Sequence, residues 1–275
     1  MQSSGRRSIM HFSGKIILIV GASSGMGRVL AQRLAGEGAK VIVTARREPM
    51  LIEVSEDISS AGGDCLAIAA DATDAAAAAE VVKTVIDHYG RIDMIYLNAG
   101  GAPALDMRLM SASDVNACMR LNYDVVVNYL FPVLKQMMRQ GGGYVAHTNS
   151  LAGFLGVPLQ GPYSAAKGAA MLLIDTCRVE FARYGIKFTT VYPGFVATEA
   201  TAGDGMPAPL EISADKAVDH ILYALRNEKA DYLFPFTMRW LIRLAHILPK
   251  PLTLWILGKS MPVLPEIGHT QTIST

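Results

Sequence analysis

Short apolar, β-branched runs recur along the chain, and longer stretches of helical periodicity separate them. The runs are residues 15–20 (KIILIV), 39–44 (AKVIVT), 65–69 (CLAIA), 92–97 (IDMIYL), 143–148 (GYVAHT), 186–191 (IKFTTV) and a short one at 231–234. Helix patterns occupy 25–36, 48–60, 74–89, 111–139, 163–184 and 213–227. A strand with one wet face alternates apolar and polar residues; these are apolar nearly throughout, so both faces must be covered. Such strands, alternating with helices, build a parallel sheet, since each parallel connection needs a long crossover. Gly38, Gly90 and Gly185 lie just past helix patterns, where a left-handed residue ends a helix. The prediction is α/β: one domain with a doubly wound, mostly parallel seven-stranded sheet and helices on both faces. The alanine run at 74–80 is simple in composition, but alanine is the best helix former and needs no other role. No internal repeat or linker divides the chain before about residue 230, so 14–230 reads as the domain and 231–275 as a strand with an apolar extension.

The chain has 275 residues, of which 51% are apolar and 18% charged, with a formal net charge of +1. That length accommodates one large core. The near-neutral charge argues against a nucleic-acid partner, which needs a strongly basic face. Cys65, Cys118 and Cys177 are scattered, with no CxxC, and read as reduced thiols in a cytoplasmic setting that give no reason to propose a metal. Arg6-Arg7 could suggest a twin-arginine export signal, but the apolar run after it is too short and enters a glycine-rich turn, so residues 1–13 read as a disordered arm.

The first run continues into GASSGMG, with Gly21, Gly25 and Gly27 at the start of the first helix. Glycine permits a tight turn and close approach of a pyrophosphate, and a helix N-terminus offers free N–H groups with partial positive charge. At the end of the second strand, where NAD-binding folds place an acidic residue for the ribose 2′-hydroxyl, this chain has Arg46 and Arg47. A guanidinium pairs with a 2′-phosphate in two-point fashion, so the expected cofactor is NADP(H). The plainer reading is a solvated basic helix start, but two arginines in a first turn oppose the helix dipole. Asp71 follows the third strand and Asn98-Ala99-Gly100 the fourth, at the carboxyl ends where open α/β sheets bind ligands.

Tyr163 and Lys167 are four apart on a helix pattern, and Ser150 ends the preceding strand. Residues at that spacing share one helix face, and an ammonium beside a phenol favours the phenolate, which lowers the tyrosine pKa. Alone, the pair would be an ordinary helix-surface contact. With Ser150 to hydrogen-bond a carbonyl oxygen and a nucleotide turn upstream, it becomes a proton donor placed for carbonyl reduction.

Together the glycine turn, Asp71, Asn98-Ala99-Gly100, Asn122, Ser150, Tyr163, Lys167 and YPGFVAT at 192–198 resemble the short-chain dehydrogenase/reductase family over about residues 14–230. Val20 stands where threonine is common before the first glycine, and Asn149 where serine often precedes the catalytic one. Neither change removes a reacting atom. The resemblance implies a Rossmann fold and an oxidoreductase interconverting a ketone or aldehyde and an alcohol. It implies Asn122, Ser150, Tyr163 and Lys167 as the catalytic set, with Lys167 on the nicotinamide ribose and Asn122 anchoring a water that relays protons. It assigns the cofactor to Gly21, Ser23, Ser24, Gly25, Met26 and Gly27, to Arg46, Arg47, Asp71 and Ala72, and to Asn98, Ala99 and Gly100. Tyr163 and Lys167 complete that set with Pro193, Gly194, Val196 and Thr198. Family members are commonly homodimers or homotetramers built on long helices. Residues 200–213, rich in glycine and proline, lie where the family carries a mobile lid. Ser150, Gly153, Phe154, Leu155, Leu159, Tyr163 and Met206 would line the substrate pocket, which suggests a hydrophobic substrate. A non-catalytic nucleotide sensor or scaffold has no use for this proton-transfer set. A nucleotide-sugar dehydratase or epimerase would carry G-x-x-G-x-x-G, which is absent.

Residues 232–262 are unusually apolar for a surface tail. Arg239, Arg243, Lys250, Pro249 and Pro251 interrupt them short of the roughly 20 residues a span requires. Arg239, Arg243, His246 and Lys250 fall on one helical stripe with Trp240, Leu241, Leu244, Ile247 and Leu248 mainly elsewhere, as in a helix lying in a membrane interface. Two readings stay open: membrane-surface association through 232–258, or packing over the pocket or a second subunit. A similar extension occurs in the 11β-hydroxysteroid dehydrogenases and 3-ketosphinganine reductases, a loose resemblance that no motif supports.

Overall fold

The computed structural model describes residues 9–101, 105–197, 210–235, 237, 240, 247–259 and 261. The strands are β1 (Ile16–Val20), β2 (Lys40–Ala45), β3 (Asp64–Ala69), β4 (Met94–Leu97), β5 (Gly143–Thr148), β6 (Ile186–Pro193), β7 (Val196–Ala197), β8 (Ile212–Ser213) and β9 (Asp231–Phe234). Seven of them form one sheet in the order β3-β2-β1-β4-β5-β6-β9, with every pairing parallel. The expected doubly wound α/β architecture is therefore present. The strand order reverses between β1 and β4, and the carboxyl end of that gap is where such sheets bind ligands.

The pleat divides the apolar runs between two cores. Ile17, Ile19, Val41 and Val43 pack under α1 (Gly25–Gly36), α2 (Glu48–Ser60) and α7 (Ala214–Arg226). Leu18, Val20 and Ile42 point the other way, beneath α3 (Ala75–Tyr89), α5 (Val125–Arg139) and α6 (Gly161–Glu180). Both faces are covered, which is why the strand sequences show no alternation. Gly38, Gly90 and Gly185 all have positive φ, as their positions after helices require.

The structure refines several boundaries. The pattern at 111–139 is α4 (Ala112–Met119), a π-helical turn (Arg120–Asp124) and then α5. One extra residue in that turn alters the facing of Asn122, which is fully buried. The pattern at 163–184 begins earlier, at Gly161, and after Glu180 becomes a 3₁₀ turn over Ala182–Tyr184. The β7–β8 pair is an addition to the predicted strands. Packing begins inside the segment assigned to the arm: Phe12 is buried, and Met10 N donates to Arg226 O at 3.0 Å. Beyond β9 the tail contains α8 (Lys250–Lys259), and no helix among the described residues is long and apolar enough to cross a membrane.

Candidate active site

β1 ends at Val20 and α1 starts at Gly25, and at two points along this junction, one in the turn and one in the first turn of the helix, there is no room for a side chain. Gly21 has φ +83°, and a Cβ there would lie 2.7 Å from Ala99 N. A Cβ on Gly27 would run into Gly21 O and stand 2.9 Å from Asn98 Nδ2. The helix start thus sits directly on the ends of β1 and β4. No side chain caps its first-turn amides, so they keep their partial positive charge for an anion.

Along this turn runs a cleft of about 380 Å³. The turn contributes Gly21, Ser23, Ser24, Gly25 and Met26, and the end of β2 contributes Thr44, Ala45, Arg46 and Arg47. Asp71 and Ala72 lie on the third wall, and Asn98, Ala99 and Gly100 on the floor, where α5 adds Val125 and Tyr129. Most of the residues expected to hold the dinucleotide are therefore gathered in one space. Arg47 is not in the first turn of α2, as the sequence suggested, but at its N-cap, with Arg46 before it and Glu48 and Pro49 inside. The Arg47 guanidinium donates to Ser24 Oγ at 2.6 Å and to Ser23 Oγ at 3.0 Å, bridging the β2 end to the glycine turn. Asp71 accepts from Thr73 N at 2.9 Å and Thr73 Oγ1 at 2.8 Å. Those bonds, chiefly the backbone one, and the Arg46 charge hold its carboxyl below the ordinary range.

The proton-transfer set stands beside the cleft floor. Lys167, on α6, is buried and donates from Nζ to Thr148 O at 3.1 Å. Its Nζ is 5.7 Å from the centre of the Tyr163 ring, one helical turn earlier. Ser150 caps the 3₁₀ turn Leu151–Gly153 and hydrogen-bonds Tyr163 from the strand end. Asn122 accepts from Gly101 N at 3.0 Å and donates to Cys118 O at 3.1 Å. Gly100 joins the two halves: a Cβ on it would lie 2.8 Å from Asn122 Oδ1 and 3.4 Å from Lys167 Nζ.

Burial governs the electrostatics. It pushes the Lys167 amine down to about 8, since an unsolvated ammonium is costly. Burial likewise pushes the Tyr163 phenol up to about 12, against which the Ser150 hydrogen bond pulls down. The sequence led us to expect a phenol lowered by Lys167. Here desolvation is the largest influence on the phenol, and the tyrosine is held protonated.

The model of the short chain dehydrogenase family matches residues 15–206. The chain is a short chain dehydrogenase. An "uncharacterized oxidoreductase" of Myxococcus xanthus is 31% identical over 240 residues, covering 87% of this chain and 95% of that protein. A 3-oxoacyl-[acyl-carrier-protein] reductase of Synechocystis is 33% identical over 190 residues, 69% of this chain and 77% of that protein. Among solved structures, levodione reductase superposes with a TM-score of 0.75 at 26% identity, over 82% of this chain and 96% of that one. The protein is thus an oxidoreductase of a family that uses nicotinamide cofactors.

In this short chain dehydrogenase the remaining expected residues that the structure describes fall at the end of β6, in β7 and in the segment between β5 and α6. Pro193 closes β6, and Gly194 N donates to Phe234 O at 2.8 Å. Val196 is buried in β7, while Thr198 and Met206 lie outside the described residues. Phe154 packs on Tyr192 with ring centres 4.7 Å apart, and Leu155 is half-buried one residue on. Leu159 has φ +60°, and its carbonyl accepts from Leu105 N at 2.7 Å. Gly153 faces inward rather than into open space: a Cβ there would lie 2.8 Å from Asn149 Oδ1 and 3.2 Å from the Lys167 carbonyl carbon. Three groups were missed from sequence. Asn149 donates to Lys167 O at 3.0 Å and accepts from Ser150 N at 2.8 Å. The Thr148 hydroxyl donates to Asn98 Oδ1 at 3.0 Å, while Asn98 Nδ2 donates to Gly21 O at 3.1 Å, tying this strand end to the glycine turn. Leu105 and Val157 pack against a small cluster of Cys118, Ala152 and Tyr163. The adjacency of Thr148 and Asn149 to Ser150 was the available signal for the first two; nothing local marked Leu105 or Val157.

Proposed function

We propose that this protein is an NADP(H)-dependent oxidoreductase interconverting a ketone or aldehyde and an alcohol, with Tyr163 giving or taking the proton. The observation that carries the reading is the convergence of Ser150, Tyr163, Lys167 and Asn122 beside Gly100, at the floor of the nucleotide cleft. The cleft suits a dinucleotide because its glycine contacts leave no room for a side chain and its helix start is uncapped. Arg46 and Arg47 at the β2 end favour a 2′-phosphate over a bare ribose hydroxyl. Asp71, Ala72, Pro193, Gly194, Val196 and Thr198 complete the set that would hold the dinucleotide. When bound, the nicotinamide supplies the hydride that the carbonyl carbon receives. Tyr163, held protonated by burial, delivers its proton to the oxygen as charge develops there. Ser150 hydrogen-bonds the same oxygen and holds the carbonyl in line. Lys167 stabilises the phenolate left behind and holds the nicotinamide ribose. Asn122 serves the relay that returns a proton. Alcohol oxidation uses the same groups in reverse, and NADP(H) preference favours reduction.

The substrate side is apolar: Phe154, Leu155 and Leu159 are joined by Leu105 and Val157 next to Tyr163. This supports a hydrophobic, lipid- or steroid-like carbonyl; most of the 200–213 segment expected to act as a lid, Met206 included, lies outside the described residues. Leu172 and Val179 on α6 and Phe131 on α5 are exposed, which supports a homodimer or homotetramer built on those helices. A cytoplasmic enzyme, peripherally associated with membrane through residues 232–258, completes the proposal.

The test follows absorbance at 340 nm with NADPH and with NADH against a panel of ketones. The panel includes a 3-oxoacyl thioester and levodione, as named for the Synechocystis protein and for levodione reductase. Turnover with NADPH and weaker turnover with NADH is expected. No turnover of any ketone, together with no NADPH binding, would overturn the reading.

A further inference from the structure

We infer that α8 is a docking element for an anionic lipid surface. The inference deepens the peripheral-membrane part of the proposal above and stands apart from its chemistry.

Its first support is an inverted burial pattern. In α7, an ordinary surface helix, Val218, Ile221, Leu222 and Leu225 are buried. In α8 the sole buried residue is the polar Thr253, while Leu254 and Trp255 are 57% and 62% exposed, with Leu252 and Ile256 also turned out. Trp240 and Ile247 before it in the sequence and Met261 after it are exposed as well. A helix with apolar residues facing outward is stable where the outside is apolar too. The sequence had suggested an amphipathic helix over 239–250; Arg239, Arg243 and His246 lie outside the described residues, and the inverted pattern belongs to α8 instead.

Charge selects the occupant. Between Asp231 and Glu266 the chain carries Arg239, Arg243, Lys250 and Lys259 and no acidic residue. Lys250 and Lys259 bound α8 and are exposed, and Lys259 Nζ lies 5.9 Å from the Trp255 ring. Tryptophan prefers the headgroup level, lysine stems reach past it to anionic phosphate, and acidic residues would be repelled. A second copy of this surface would set its cations against like charge. At 10 residues α8 can lie in the interface but cannot span.

Place gives the surface its meaning. β9 ends against Gly194, whose N–H donates to Phe234 O, and a Cβ on Gly194 would stand 3.2 Å from Pro235 Cδ. The tail therefore leaves the sheet at its carboxyl end, where the candidate site lies. A chain docked through α8 would be tethered to the lipid, where an apolar carbonyl compound partitions, by the segment that leaves the sheet at that end.

The experiment is flotation of the full-length protein with vesicles of phosphatidylcholine alone and of phosphatidylcholine mixed with phosphatidylserine. The parent should float with the mixed vesicles, less so with phosphatidylcholine alone, and be released by high salt. The double variant W255E/I256E should lose at least about tenfold in apparent affinity. Lys250→Glu with Lys259→Glu, both at exposed sites, should lose a similar amount and decides the matter if the first variant fails to fold. A parent that stays in the aqueous phase, or folded variants that float like the parent, would overturn the inference. So would W255E/I256E dissociating an oligomer while leaving flotation unchanged, since the occupant would then be a second copy. NADPH binding is measured on the same samples. A parent that binds NADPH but does not float rejects the docking alone, and a parent that floats without binding NADPH rejects the cofactor assignment alone.

Discussion

Asn149 Nδ2 donates to the carbonyl of Lys167 at 3.0 Å, while its Oδ1 accepts from Ser150 N at 2.8 Å. One buried amide thereby fixes the strand end bearing Ser150 and the helical turn bearing Lys167. The residue that departs from the common family serine thus carries both bonds. Replacing Asn149 by Ala leaves Ser150 N without that acceptor inside the protein, and such losses cost about 1–3 kcal/mol. We expect Asn149→Ala to lower stability by that amount in urea melts and to reduce kcat at least about tenfold, because Ser150 and Lys167 no longer hold a common geometry. A variant matching the parent in both measurements would show that the amide sets neither.

Tyr163→Phe removes the phenol that burial keeps protonated. Under the proposed mechanism kcat should fall by about 10²–10⁴, the usual contribution of a positioned proton donor. NADPH binding, followed by fluorescence, should stay within about twofold because the ring is retained. Activity within a few-fold of the parent would take the proton-transfer role away from Tyr163.

Arg46 and Arg47 should behave differently, because Arg47 is already held by Ser23 and Ser24. Arg46→Asp should raise the NADPH KM at least about tenfold, the scale of one lost charge-assisted contact, and leave the NADH KM nearly unchanged. Arg47→Ala should weaken both cofactors, since it also loosens the glycine turn. Initial rates with the two cofactors decide this. An unchanged NADPH-to-NADH ratio in Arg46→Asp would refute the 2′-phosphate assignment.

The layers of the fold were readable because strands buried on both faces leave a signature that survives without coordinates: Ile17 and Leu18 enter opposite cores, so neither position tolerates a polar residue. Tyr163 and Lys167 were readable because one helical turn relates them, and helix spacing is local. The π-helical turn at Asn122 was not, since 111–139 keeps its helical pattern through the extra residue. Phe12 sits in a polar-looking arm and is buried in a core to which α7, distant in sequence, contributes. The protonation of Tyr163 depends on how much water the folded chain removes, a quantity with no sequence pattern. Asn149 is the mixed case: its position beside Ser150 was visible, but its partner on α6 was not.

Lys167 permits a test that joins stability to function. Its amine, pushed down to about 8 from an ordinary 10.5, is a buried cation below that pH. Between about 8 and 10.5 the unfolded chain binds more protons at this site than the folded one, so stability rises with pH across that window. Tyr163 works in the opposite sense and higher up: with its phenol raised to about 12, it contributes stability that is lost only above its ordinary pKa of 10.0. In the ligand-free protein, Lys167→Met should therefore be more stable than the parent at neutral pH by about 1–3 kcal/mol, the range seen when a buried charge gives way to an apolar side chain. The advantage should shrink towards zero by about pH 10, and kcat should be lost by about 10²–10⁴ throughout. Urea melts of both proteins across that range measure the difference directly, because groups common to the two cancel. A Lys167→Met protein that is less stable than the parent at neutral pH would mean that the hydrogen bond to Thr148 O outweighs the cost of burying the ammonium.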